Sequence, residues 1–154
     1  MTRGKETKEG GKSWLRPIFT PSDTPSDTPE CRLPIYELVT GGAKKGALGS
    51  LMDGKGDKQV PLRMLSFVEA VSRLGYQTAI SSGRLKHLNG DVFEIKHKSI
   101  NIRAFCILTD GGNPVLVIDR VVNTKGGMQT DYERLIKLTN KDADLIKRLV
   151  DQLN

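Results

Sequence analysis

A chain of 154 residues, 37% apolar, 27% charged and 5% aromatic, with 24 Lys and Arg against 18 Asp and Glu, has the size and balance of one globular domain of formal charge +6. No stretch approaches the roughly 20 apolar residues that cross a bilayer, and 16 glycines with 7 prolines are too few for a collagen-like repeat. Met1 to Trp14 carries Arg3, Lys5, Glu6, Lys8, Glu9 and Lys12 with no apolar run behind them, which does not suit a secretory signal, so a cytoplasmic protein is expected.

Residues 1–34 hold five of the seven prolines and the near-repeat Thr20-Pro21-Ser22-Asp23-Thr24-Pro25-Ser26-Asp27-Thr28-Pro29, which buries too little apolar surface to offset the entropy of ordering. This segment reads as a flexible tail, and 35–154 as a single domain. Ile35 to Val39 reads as a short strand. Gly41-Gly42-Ala43-Lys44-Lys45-Gly46 and Asp53-Gly54-Lys55-Gly56 read as turn-rich loops; without a Gly-Lys-Ser/Thr ending they do not make a phosphate loop. From Pro61, Met64, Phe67, Val68, Val71 and Leu74 fall on one face of an amphipathic helix that stops at Gly75.

Leu85 to Leu88 is expected as a last short helical piece before the chain reversal at Asn89-Gly90-Asp91. Strands are predicted at Val92 to Lys98, Ile102 to Thr109 and Pro114 to Asn123, joined as antiparallel hairpins by Ser99-Ile100-Asn101 and Asp110-Gly111-Gly112-Asn113. From Asp131 helical spacing returns, and Ile146, Leu149, Val150 and Leu153 form a second apolar stripe after a cap at Thr139 or Asn140. The expected architecture is α+β, with helices on one side of a twisted sheet.

The basic excess is concentrated. Residues 58–103 hold 8 Lys and Arg against 3 Asp and Glu, while the segments on either side are close to neutral. Such a region attracts polyanions by counterion release, although a plain solvated surface would look the same on charge alone. Cys31 and Cys106 are expected to be reduced, and two histidines, His87 and His97, cannot supply a multi-histidine zinc centre. No cofactor and no metal are expected, a magnesium held by carboxylates being the one alternative the composition leaves open.

Alternation along the predicted strand puts Glu94, Lys96 and Lys98 on one face and Phe93, Ile95 and His97 on the other, with the charged row exposed. A hairpin pairing Lys98 with Arg103 would add a further cation, at a cost of up to about 1 kcal/mol that an anionic ligand would remove. A patch of this kind suits cleavage of RNA by its own 2′-hydroxyl: Arg or Lys stabilises the charge gathering on the phosphate, Glu94 is the candidate base, and a lysine serves as base or acid. Tyr132 is a candidate stacking surface. The plainer alternatives are a Glu94 ion-paired to Lys96 or Lys98, a Tyr132 that packs its helix, and a His97 that faces the core or ends a hairpin.

The run Leu85-Lys86-His87-Leu88-Asn89-Gly90-Asp91-Val92-Phe93-Glu94-Ile95-Lys96, then Ile102-Arg103-Ala104-Phe105, then Val115 through Lys125, resembles the RelE/HigB toxin superfamily in its phage-derived form, over roughly residues 60–137. That resemblance implies N-terminal helices packed on a three- to four-stranded, mainly antiparallel twisted sheet with a C-terminal helix. It implies a toxin that cuts mRNA without metal, often on the ribosome, and is held inactive by an antitoxin, expected here as a helix-turn-helix protein. By position, Glu94, Lys96 and Arg103 would be catalytic, and Lys98, Lys125, Tyr132, Lys86 and Arg84 would bind RNA. A non-catalytic relative that binds nucleic acid or protein, or a ParE-like gyrase inhibitor, would carry the same pattern. The proline-rich tail, and Gly126-Gly127 where the family has a denser basic cluster, depart from it.

Overall fold

The computed structural model describes residues 12–21, 31–54, 56, 58–110, 112–123 and 129–153. Strands β1 (Trp14–Phe19) and β2 (Ile35–Val39) come first. Helices α1 (Ala47–Met52), α2 (Gln59–Leu74) and α3 (Tyr76–Ser81) follow, then strands β3 (Leu85–Asn89), β4 (Val92–Ile95), β5 (Ile102–Thr109) and β6 (Val115–Asn123), and finally helices α4 (Gln129–Lys141) and α5 (Ala143–Asp151). The strands form one sheet in the order β1-β2-β6-β5-β4-β3. All neighbours are antiparallel except β2 and β6, which run parallel with Ile35 beside Leu116.

The expectation of N-terminal helices on a three- to four-stranded, mainly antiparallel sheet is therefore corrected: among the described residues strands come before the helices, and the sheet is mixed and six-stranded. Two local misreadings account for the difference. Trp14–Phe19 lies inside the segment read as a tail, yet pairs with β2 from Trp14 opposite Val39 onward. Leu85 to Leu88, read as helical, is strand: Leu85 lies opposite Ile95 and Lys86 opposite Glu94. The Asn-Gly turn decides that segment, because Gly90 at φ +59° closes a two-stranded reversal that four residues of helix could not feed.

Both faces of the sheet are covered. On one, Ile35, Ile95, Ala104, Cys106, Leu116 and Ile118 pack in one cluster with Leu48 of α1, Met64, Val68 and Val71 of α2, and Ala79 of α3. On the other, Val92, Phe105, Ile107, Val117 and Val122 pack with Ile146 and Val150 of α5 and with the half-buried Tyr132 and Ile136 of α4. This is why β5 and β6 read as almost unbroken apolar runs rather than alternating ones. Thr139 and Asn140, expected as caps, lie inside α4; the break falls at Asp142. Asn140 instead holds the β3–β4 turn, its Oδ1 accepting from the Asp91 amide at 3.1 Å and its Nδ2 donating to the Asn89 carbonyl at 3.3 Å. Leu153 lies beyond α5 and is exposed.

A buried carboxylate joins β1, β2 and α1. Glu37 is fully buried; its Oε2 accepts from Arg16 Nε at 2.7 Å and its Oε1 from the Leu48 and Gly49 amides at 2.9 and 3.1 Å. The first-turn amides of α1, which no side chain of its own caps, are satisfied in this way. Glycine is required beside it: a Cβ on Gly46 would lie 2.3 Å from the Leu38 carbonyl oxygen and 2.9 Å from Glu37 Oε1.

A second buried acid ties the terminal helices to the sheet. Asp119 sits where the β5–β6 register shifts, and accepts from Arg120 Nε at 3.1 Å; Arg120 Nη2 reaches Asp142 at 3.5 Å. Burial, then the hydrogen bond and charge of Asp142, push the Asp119 carboxyl up to about 7, against the pull of Arg120. Its folded value thus exceeds its ordinary one, so between about pH 4 and pH 7 the native state keeps a proton the unfolded chain has lost. Stability falls as pH rises through that window, and the loss is complete above it. Asp119→Asn removes this dependence: its melting temperature, referred to that of the wild-type chain, rises by several degrees from about pH 5 to pH 8, and a constant difference in thermal melts would refute the assignment.

Candidate functional site

Glu94 is not on an open face. Its side chain is 2% exposed beneath α4, where the Tyr132 hydroxyl donates to Oε2 and Arg103 Nη1 donates to Oε1 at 3.4 Å. The Tyr132 ring meets Phe105 edge-on at 5.1 Å. Burial first, and then the bond to Glu94, push the Tyr132 hydroxyl well above its ordinary range, so it remains a donor. Arg103 is 27% exposed, and its buried Nε has no partner among the described residues. Glu94, Arg103 and Tyr132 are thus brought together as a polar knot that seats α4, rather than as a base, an electrophile and a stacking surface open to substrate.

The expected exposed row of Glu94, Lys96, Lys98 and Arg103 does not form. Alternation reports which side chains share a face and not whether that face is covered, and here α4 covers it. Strand β4 also ends at Ile95, so Lys96 to Lys98 leave the ladder, and Arg103 lies across from Val122 rather than Lys98. Lys86 is exposed on the edge strand opposite Glu94. Lys125 lies outside the described residues.

Where β4 ends, a different convergence appears. Ser82, Gly83, Arg84, Lys96, His97 and Lys98 line an open cleft of about 290 Å³. Just beyond the end of the β3–β4 ladder the Lys96 amide donates to the Arg84 carbonyl at 3.3 Å, which brings the backbones of these two cleft residues together. No carboxylate lines the cleft to neutralise these cations. His97 is held rigidly: its ring stacks on Phe67, and its Nδ1 meets Ser99 Oγ at 2.7 Å and the Ser99 amide at 3.1 Å. A backbone N–H can only donate, so Nδ1 is the acceptor and the neutral ring carries its proton on Nε2.

No known family model matches the chain, and no curated protein matches it. What the site can do is read from its own chemistry. Three of the residues expected to contact RNA or its phosphate, Arg84, Lys96 and Lys98, share the cleft; Glu94, Arg103 and Tyr132 share the knot; Lys86 stands apart. The sequence points His97 to the core or to a hairpin end, and offers no signal of its place in the cleft beyond its position between Lys96 and Lys98.

Among the described residues no three His, Cys, Asp or Glu side chains gather as a metal site, and no helix is long and apolar enough to cross a membrane. Both cysteines are free thiols. Cys106 is fully buried, and desolvation, with the charges of Asp119 and Glu94, pushes its thiol well above the ordinary value, so it is inert. Cys31 contacts Ser72 Oγ at 3.3 Å.

Proposed function

We propose that this protein binds RNA in the cytoplasm through the cleft at the end of β4, with Arg84, Lys96 and Lys98 on the phosphate backbone. The observation that carries this reading is the convergence of these three cations around an open cleft that no acid lines. Binding fits better than cleavage. Cleavage by the 2′-hydroxyl needs a group to take its proton, and the carboxylate nearest in sequence, Glu94, is buried and already accepts from Tyr132 and Arg103. The His97 nitrogen that accepts from the Ser99 amide is already engaged, and the neutral ring carries its proton on the other, so His97 is not placed to act as that base.

The double variant Lys96→Ala/Lys98→Ala is expected to weaken binding to an RNA oligomer and to reduce the slope of log affinity against log salt by about 1 for each lysine removed. Gel-shift titrations at several salt concentrations measure both, and an unchanged slope would exclude the cleft as the phosphate site. The rival is the toxin-type endoribonuclease, with mRNA as substrate, the ribosome as its setting and a helix-turn-helix antitoxin as its inhibitor. Cleaved product from mRNA incubated with the protein, with or without ribosomes, would replace plain binding by that reading; an intact, shifted RNA supports binding.

A further inference from the structure

We propose that His97 is a stacking platform for one unpaired nucleobase, so that the cleft takes single-stranded rather than duplex RNA; this rests on the RNA reading above. The imidazole lies on Phe67 with ring centroids 4.1 Å apart and planes 11° from parallel. Phe67 is itself packed against the core, so the ring has a fixed backing. The two Ser99 contacts at Nδ1 fix its rotation. Held in this way, the half-buried ring lines the same cleft as Arg84, Lys96 and Lys98.

Cations that follow the backbone beside a rigid ring that accepts a base are the two components of single-strand recognition. A base inside a duplex is already stacked on its neighbours and has no open π-face, so only an unpaired one can use the platform. The size agrees: about 290 Å³ lies just below the roughly 300–1,000 Å³ of drug-sized ligand pockets, which suits one nucleotide at a time. His87, by contrast, meets Phe93 at a tilt of 41° and donates to the Gly90 carbonyl across its own turn.

The test uses an RNA oligomer carrying 2-aminopurine, a duplex of the same sequence, and inorganic polyphosphate as a backbone-only probe. The full chain is expected to quench the 2-aminopurine and to bind the single strand roughly tenfold tighter than the duplex. His97→Ala should lose the quench and about 5- to 150-fold of single-strand affinity while keeping polyphosphate affinity; His97→Phe should restore both. Equal affinity for strand and duplex, or a quench that survives His97→Ala, overturns the platform while leaving the RNA reading in place. Failure of the wild-type chain to bind either RNA or polyphosphate overturns the RNA reading itself.

Discussion

Arg103→Ala is expected to lower stability by about 3 kcal/mol, a fall in melting temperature on the order of 10 °C for a chain of this size. The reason lies in Glu94. Its carboxylate is 2% exposed and has two donors, Arg103 and Tyr132. Removing the arginine leaves a charge in an apolar layer with one hydroxyl to solvate it, and breaking such a pair costs about 3–5 kcal/mol. The 27% exposure of Arg103 lets water replace part of the loss, so the lower end of that range applies. Adding Glu94→Gln should recover part of the stability, because a neutral amide needs no counter-charge. Urea unfolding of the single and double variants measures the coupling, and an Arg103→Ala protein as stable as the wild type would show that the pair does not hold α4.

Glu37→Ala should cost as much or more, about 3–5 kcal/mol. Here one carboxylate serves three donors on two other segments, Arg16 in β1 and the Leu48 and Gly49 amides at the start of α1. Without it the Arg16 guanidinium loses its partner, two amides are orphaned, and the space against Gly46 and Gly49 opens. β1 is an edge strand joined to the sheet only through β2, so it should be the first element to detach. Limited proteolysis between residues 14 and 19, accelerated well beyond the wild-type rate, is the expected sign; wild-type protection together with a wild-type melting temperature would refute the network's role.

What the sequence showed depended on how local its cause was. Helix α2 and its stop at Gly75, β2, and β5 were readable because periodicity and a terminating glycine are properties of a few adjacent residues. The Asn-Gly turn is legible too, although the segment before it has the look of a helix and folds as strand. Hidden were the features fixed by distant partners. Trp14–Phe19 looks like part of a tail until β2 pairs with it, and nothing near Glu94 announces that Tyr132, 38 positions later, will cover it. Of the site, the basic character of the middle third was legible, whereas the grouping was not: Arg84 meets Lys96 because β3 and β4 pair, while Arg103 turns to Glu94.

The place of β6 constrains how the chain can reach its fold. It is the last strand to be synthesised, yet it stands between β2 and β5, and its pairing of Leu116 with Ile35 closes a loop of about 80 residues. Until it arrives, the halves of the sheet cannot join, and two apolar strand edges stand open. Such long-range closure slows folding and leaves the nascent chain exposed to edge-to-edge association in the interval. The order of synthesis thus makes the central strand the step that commits the two halves to one another.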